Sequence, residues 1–128
     1  RLFSNDIENY HERNQIVDSA KKYKNCAIAV ADVESKDIRL ISAQAADELL
    51  SISGVDASFV IFNLGDAVCV SARSFGAVNV QVVMEYMNGG GHLTMAAVQV
   101  KNSTVAEVAE QVMRSIDRYN ESLNKSEV

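Results

Sequence analysis

The stretch SFVIFNLGDAVCVSAR, residues 58–73, carries the clearest structural signal in this chain of 128 residues. Two runs rich in β-branched and aromatic residues flank Gly65-Asp66, and a glycine at the first position of a two-residue loop is typical of a type II′ hairpin turn. Side chains alternate between the faces of a strand, so the second run divides into two sets. Val68, Val70 and Ala72 share one face, and Cys69, Ser71 and Arg73 share the other. The stretch predicts an antiparallel hairpin that carries Ser71 and Arg73 on one side.

The segments around this hairpin predict helices and further strands. Hydrophobic periodicity predicts helices over 5–23, 38–51, 79–87 and 104–119, and strands over 26–33 and 95–100. Residues 38–51 could open as a strand, but their alanines and leucines favour a helix. The order of elements predicts an α/β fold, a small single domain in which helices cover a mixed β-sheet.

Particular residues predict where these helices begin and end. Asp37 or Ser42 is expected to cap the second helix, and Thr104 with Glu107 forms a capping box before the last one. The tail from about Asn120 is expected to fray. The first helix has only a thin apolar face, which is typical of a connecting helix; its members are Ile7, Tyr10, Val17 and Ala20.

Composition and charge exclude several classes of protein. The hydrophobic and charged fractions, 48% and 23%, are ordinary for a globular domain. The longest purely apolar run, 26–31, is far shorter than the ~20 residues that a membrane-spanning helix needs. A formal net charge of −5 argues against a long nucleic acid as partner, because such proteins carry a basic face. Any anion site in this chain must therefore be local.

The cysteines and histidines do not form a pattern for metal binding or nucleophilic catalysis. Cys26 and Cys69 lie in separate apolar runs and are interpreted as small buried hydrophobic residues in a reducing compartment. His11 and His92 are far apart in sequence, and His11 is interpreted as solvated helix surface. We expect no metal bound by this chain itself.

Gly89-Gly90-Gly91-His92 is the segment that most strongly suggests a ligand. One glycine after a helix is explained as a C-cap, but three in a row suggest close approach of backbone to an anion, with successive amides lining a concavity. His92 then lies where it could donate to a phosphate. The alternative is a helix terminator followed by a loose loop. Replacement of Gly90 or Gly91 is expected to leave folding intact.

Arg73 is the second candidate for anion binding. It ends a predicted strand and is followed by Ser74, and a guanidinium can bind phosphate through two parallel hydrogen bonds. The alternative is a surface arginine paired with a carboxylate. Proximity to the glycine segment would favour the phosphate-binding role.

Together these motifs resemble a known family. The residues are SARS (71–74), NVQ (79–81), GGGHLT (89–94) and AA (96–97), and they resemble the DHH-associated domain of DHH-family phosphoesterases. With AQAAD (43–47), the pattern is most similar to bacterial cyclic-di-AMP phosphodiesterases of the GdpP type. Three positions depart from it: Asn88 replaces a frequent fourth glycine, Met95 an expected asparagine, and Val98 a glycine that is common in the short-RNA nucleases.

The resemblance implies a division of labour between two domains. Residues 1–24 would form a linker helix after a DHH domain, and residues 25–128 the DHH-associated substrate-binding domain, with its glycine-rich loop at the substrate cleft. Manganese ions (Mn2+) on the DHH domain would hydrolyse cyclic-di-AMP to linear pApA. The implied substrate-binding residues are Arg73, Ser74, Gly89, Gly90, Gly91 and His92.

The resemblance also sets expectations about partners and location. The partners would be cyclic-di-AMP and the DHH domain of the same chain, with a homodimer as a further option. The first residue is not methionine, which suggests a fragment, and this part is expected in the cytoplasm with the parent anchored in the membrane by N-terminal helices. Two alternatives stay open, a short-oligoribonucleotide exonuclease (nanoRNase) and a non-catalytic nucleotide-binding module. The isolated chain is expected to be inactive.

Overall fold

The computed structural model describes the backbone of residues 2–126 and the side chains of residues 7–125. That range contains four helices and six strands. In chain order they are α1 (Leu2–Asp18), β1 (Lys21–Tyr23), β2 (Cys26–Ala31), α2 (Ile38–Leu49), β3 (Ala57–Leu64), β4 (Ala67–Ser74), α3 (Val80–Glu85), β5 (Gly90–Gly91), β6 (Met95–Lys101) and α4 (Val105–Ser126).

The strands form one mixed sheet in the order β1-β2-β3-β4-β6-β5. Only β2 and β3 are parallel among the described neighbours, and α2 supplies the crossover that a parallel pair requires. The β3–β4 hairpin turns at Gly65, whose φ of +67° suits glycine. The predicted hairpin and the predicted α/β fold are therefore confirmed.

Helices cover the two faces of the sheet unequally. The face that we call the first packs against α3 and α4 and includes Phe59, Val70 and Ala72. The second face packs against α1 and α2 and includes Val60 and Cys69. Strand β6 is buried at alternate positions facing the first face, whereas Met95, Ala97 and Gln99 on the opposite side are exposed. The second face is therefore open over β6, beside the covered half.

The cysteines are buried on opposite faces of this sheet. Cys26 is 1% exposed within the first-face core, and Cys69 is 4% exposed within the second-face core. Both are free thiols, and their prediction as small buried hydrophobic residues is confirmed. Burial raises the pKa of both thiols, that of Cys26 to about 12, so neither is activated as a nucleophile.

The prediction of a helix over 5–23 is wrong at its C-terminal end. The Ser19 hydroxyl donates to the carbonyl of Ile16 at the last turn, and 21–23 instead form β1 at the sheet edge. The predicted apolar face is also wrong in part, because Ile7 and Tyr10 are about half exposed while Ile16 is buried. The sheet edge at β1 is protected by lysines, a common defence against aggregation.

The other helix boundaries differ from prediction in smaller ways. Asp37 occupies the N-cap of α2 without a side-chain cap bond, and Ser42 lies inside the helix, so neither caps it as expected. The capping box of α4 is confirmed, since Glu107 N donates to Thr104 Oγ1 and Thr104 N to Glu107 Oε1. Helix α4 continues past Asn120 to Ser126, because no glycine or proline interrupts it.

Two buried serines on α2 and β3 give a matched test of hydrogen bonding in the core. The Ser58 hydroxyl donates to the carbonyl of Ala46 at 2.6 Å, whereas the Ser42 hydroxyl has no hydrogen-bond partner among the described residues. Ser58→Ala should lower the unfolding free energy by about 1–3 kcal/mol, and Ser42→Ala should raise it by about 1 kcal/mol. Urea denaturation measures both. Equal losses in the two variants would contradict this difference.

The raised pKa of Cys26 predicts a loss of stability at alkaline pH. The pKa is about 12 in the folded chain and returns to about 8.5 on unfolding, so the unfolded state loses its proton first as pH rises. The unfolding free energy should fall between these two pH values, and more steeply in the wild type than in Cys26→Ala. Denaturation at several pH values from neutral upward gives the comparison; parallel curves for both proteins would disprove it.

Candidate functional site

Arg73 lies on the second face, where the sheet becomes open. Its side chain is only 13% exposed, and Nη1 donates to the carbonyl of Ala72 at 2.9 Å. Nε lies 3.2 Å from Asp47 Oδ1 of α2, but without the direction of a hydrogen bond, so this contact is an ion pair only. The sequence analysis did not select Asp47 as a site residue, although Asp47 belongs to the AQAAD motif. The pattern that could have identified it is an acidic residue on the helix that follows a buried strand.

Strand register brings Arg73 and His92 onto the same row of the sheet. Arg73 pairs with Met95, and His92 pairs with Met95 through His92 N to Met95 O at 2.6 Å. Side chains opposite one another in antiparallel strands share a face, so Arg73 and Met95 lie on the open second face, and we expect the same of His92 at the turn of the hairpin. Two strand spacings separate Arg73 from His92, about 10 Å. The ion pair with Asp47 matches the alternative of an arginine paired with a carboxylate, and the phosphate-binding role of Arg73 stays a prediction.

The glycine segment forms the edge of the sheet. We expected a loop, but Gly90 and Gly91 form the two-residue strand β5 against Ala97 and Ala96. A Cβ on Gly89 would lie 2.3 Å from Ala97 O, and one on Gly91 would lie 2.4 Å from Met95 O. Close packing against β6 therefore explains two of the three glycines. A Cβ on Gly90 would meet nothing within 4 Å, so of these three glycines Gly90 is the one that faces open space.

Most amides of this segment are used within the protein. Gly89 N donates to Met84 O and Asn88 N to Glu85 O, the Schellman pattern at the end of α3. Asn88 has the φ of +67° that this motif requires, which explains asparagine where the family often has glycine. Because hydrogen-bonded pairs alternate along antiparallel strands, the Gly91 N–H points away from β6 to the free edge. The expected row of successive amides is reduced to this one.

Ser74 supports the site from beneath. It is 4% exposed, and its hydroxyl lies 2.7 Å from Val78 O and 3.2 Å from Leu93 O as a donor. The same oxygen accepts from Gly76 N. These bonds tie the turn after β4 to the hairpin that carries His92. Its hydroxyl is thus already engaged by protein groups, and the expected contact of Ser74 with substrate stays a prediction.

The described side chains offer no centre for a catalytic metal. Within residues 7–125, no group of three or more His, Cys, Asp or Glu side chains could hold a metal ion. His92 and Asp47 belong to different walls of the site and do not complete such a set. A resident metal does not fit the residues present here. None of the described helices is both long and apolar enough to cross a membrane.

Comparison with known proteins identifies the family. The family model described as the DHHA1 domain matches residues 15–125. This chain belongs to the DHHA1 domain family. The match extends from the end of α1 to the end of α4, so the whole sheet of the DHHA1 domain lies within it, and the resemblance seen in the motifs is confirmed.

Curated relatives of this DHHA1 domain are much longer proteins. It is 43% identical over 121 residues to the cyclic-di-AMP phosphodiesterase PdeA of Listeria monocytogenes, covering 93% of this chain and 18% of that protein. It is 44% identical over 123 residues to the cyclic-di-AMP phosphodiesterase GdpP of Geobacillus thermodenitrificans, covering 94% and 19%. The chain therefore spans about a fifth of the length of these relatives.

Solved structures share the fold of this DHHA1 domain. An exopolyphosphatase-related protein from Bacteroides fragilis matches with a TM-score of 0.75 at 21% identity, covering 91% of this chain and 36% of that one. A pGpG-specific phosphodiesterase from Vibrio cholerae matches with a TM-score of 0.60 at 15% identity, covering 86% and 39%. At these identities the likeness concerns the fold alone.

The packing of the glycines corrects one expectation and yields a prediction. Gly91→Ala should lower the unfolding free energy by about 2 kcal/mol or more, because the new Cβ meets backbone and φ is +146°. Gly90→Ala should change it by less than about 0.5 kcal/mol. These contacts argue against the expectation that replacement of Gly91 leaves folding intact. Thermal denaturation of both variants provides the measurement, and equal melting temperatures would be inconsistent with the close approach.

Proposed function

We propose that this DHHA1 domain binds the substrate phosphate of a cyclic-di-AMP phosphodiesterase. The observation that carries the proposal is the shared row of Arg73 and His92 on an open sheet face beside the uncrowded Gly90. Identity of 43–44% to two cyclic-di-AMP phosphodiesterases over most of the chain supports the choice of substrate. In this proposal, the DHHA1 domain contributes positioning and charge neutralisation to hydrolysis to linear pApA.

Arg73 would supply the fixed positive charge. Asp47 and the carbonyl of Ala72 hold Nε and Nη1, so the guanidinium is oriented before the substrate arrives. Its Nη2 edge then remains for a phosphate oxygen. A guanidinium that is largely removed from water attracts an anion more strongly than an exposed one, because the surrounding dielectric is lower. We assign Asp47 and Ser74 to positioning, Arg73 to direct contact.

His92 and the glycines would complete the anion site. His92 is exposed where its backbone pairs with Met95, and the Gly91 N–H points to the free sheet edge nearby. Gly90 has no side chain to block the space between them. The substrate phosphate would therefore meet a guanidinium on one side and an imidazole on the other.

Hydrolysis itself would require groups outside the described residues. Metal-dependent chemistry, with manganese as the expected ion, would reside on a DHH domain of the same protein, and we assign no step of it to this chain.

Three apolar side chains around Arg73 and His92 are exposed: Phe75 at 79%, Leu93 at 47% and Met95 at 51%. Such a rim suits burial against that domain. The homodimer, the cytoplasmic location and the membrane anchor of the parent stay predictions.

Substitutions in the full-length parent test the phosphate-binding role. His92→Ala removes a charge-assisted hydrogen bond worth about 1.5–3 kcal/mol, so kcat/KM for cyclic-di-AMP should fall about 10- to 100-fold. Arg73→Lys should cause a similar fall, because lysine keeps the charge without the planar fork. Matched controls are His11→Ala on α1 and Arg114→Lys on α4, which lie away from the site and should retain wild-type kinetics. Normal kinetics in the His92 and Arg73 variants would refute the assignment.

The same enzyme distinguishes the alternative functions. Faster hydrolysis of a short RNA than of cyclic-di-AMP would favour the nanoRNase, and binding without hydrolysis of either would favour the non-catalytic module. The isolated chain with added manganese should hydrolyse neither substrate. Turnover by the isolated chain would show that the two-domain proposal is wrong.

A further inference from the structure

Strand β6 has an open edge beyond the short strand β5. Strand β5 pairs with β6 over two residues only, and no other strand lies on that side of β6 in the described part of the chain. His92 and Met95 exchange backbone bonds, so Met95 and every second residue after it direct their N–H and C=O toward this edge. Beyond β5 the outward groups include the N–H and C=O of Gln99 and the N–H of Lys101. Such groups at an open edge can pair with a further strand.

A groove on the first face adjoins this edge. It has a volume of about 410 Å³ and lies between the end of α3 and helix α4. Val100 lines it from β6, and Tyr86 and Met87 line it from the end of α3. Val100 packs against the first-face core, so the groove lies on the side of the sheet opposite Arg73. It is therefore separate from the proposed anion site.

Two arginines make this groove basic. Arg114 and Arg118 line it from α4, and their spacing of four residues places them on one side of the helix. Like charges at this spacing repel each other, so an anion bound between them would be stabilising. Arg118 takes part in none of the ion pairs among the described residues, and Arg114 has only an exposed contact with Glu110 at 3.8 Å. In a chain with a net charge of −5, the groove is a local basic surface.

Arg118 is oriented by an aromatic ring. Its guanidinium lies 4.2 Å from the centroid of the Tyr86 ring, which is a cation–π contact. A guanidinium that contacts a ring through its face keeps the N–H groups at its edge available for a carboxylate. One of the two cationic groups is therefore positioned before any partner arrives.

We propose that the β6 edge docks an extended acidic segment of a partner protein, which adds a strand beside Gln99 and Lys101 and directs carboxylates at Arg114 and Arg118. In a strand added about 4.8 Å from β6, every second side chain points to the first face. The arginines face that set of side chains, so the segment would carry Asp or Glu at alternate positions. Main-chain bonds supply affinity in this mode of recognition, and side-chain pockets supply specificity.

This interaction goes beyond the proposed function, because it uses neither Arg73 nor His92. It assigns the opposite side of the sheet to a protein partner. Substitutions in the groove should therefore leave the hydrolysis of cyclic-di-AMP by the full-length parent unchanged.

Binding of a synthetic peptide to the full-length parent tests the docking. The probe is a fluorescently labelled peptide of alternating glutamate and valine, and fluorescence anisotropy measures its affinity. Arg114→Gln and Arg118→Gln should each weaken binding about 5-fold, because each removes one exposed charge pair with a carboxylate. Matched controls are Arg39→Gln on α2 and Lys22→Gln on β1, the opposite edge of the sheet. Both remove one positive charge elsewhere and should bind the peptide as the wild type does.

Two further measurements test the pairing of strands. Hydrogen–deuterium exchange over residues 99–101 should become slower when the peptide is bound, because the outward amides acquire partners. A peptide of the same sequence with N-methylated backbone amides keeps its carboxylates but loses its donors. It should bind about 10-fold more weakly or worse.

The outcomes decide between docking of an acidic strand and other forms of binding. Weaker binding in both arginine variants, with wild-type affinity in the two controls and slower exchange over 99–101, supports the proposal. Equal affinity for the N-methylated peptide overturns strand addition, and equal affinity for a peptide of alternating lysine and valine overturns the acidic preference. If the wild type does not bind the glutamate peptide, the docking site is wrong, whereas the proposed function stands or falls on the Arg73 and His92 variants.

Discussion

The close approach of Gly89 and Gly91 to β6 is the constraint on which the site depends. Any side chain at these positions would meet the backbone of β6 at less than 2.5 Å. Because neither Gly89 nor Gly91 has a side chain, the chain can turn from α3 and run along the sheet edge, which places His92 opposite Met95. The glycines therefore act first on strand pairing, and through it on the geometry of the anion site.

Unequal covering of the sheet explains where a ligand can bind. Helices bury both faces of β3, and that strand has buried residues at six consecutive positions. Strand β6, in contrast, alternates between buried and exposed positions. Met95, Ala97, Gln99 and Lys101 occupy its exposed positions without cost to the core. Arg73 lies at the boundary between covered and open surface, where α2 can supply Asp47 as its partner.

Elements with strong local signals could be predicted from the sequence, and those fixed by distant contacts could not. The β3–β4 hairpin was predicted correctly because Gly65 and the two flanking runs of β-branched and aromatic residues define it locally. Strand β1 was missed because Lys21 and Lys22 carry no apolar pattern, and only pairing with β2 makes them a strand. Likewise the glycine segment indicated close backbone approach, but the sequence could not show that β6 is what approaches.

The hydroxyl of Ser74 has a consequence for the thermodynamics of binding. By joining the turn after β4 to the hairpin of His92, it removes conformational freedom from both segments before any ligand arrives. The entropy of ordering these segments is then lost during folding and not again on association. A ligand that meets Arg73 and His92 would therefore gain most of its contact energy as affinity, and a slower dissociation rate would be the kinetic expression of that rigidity.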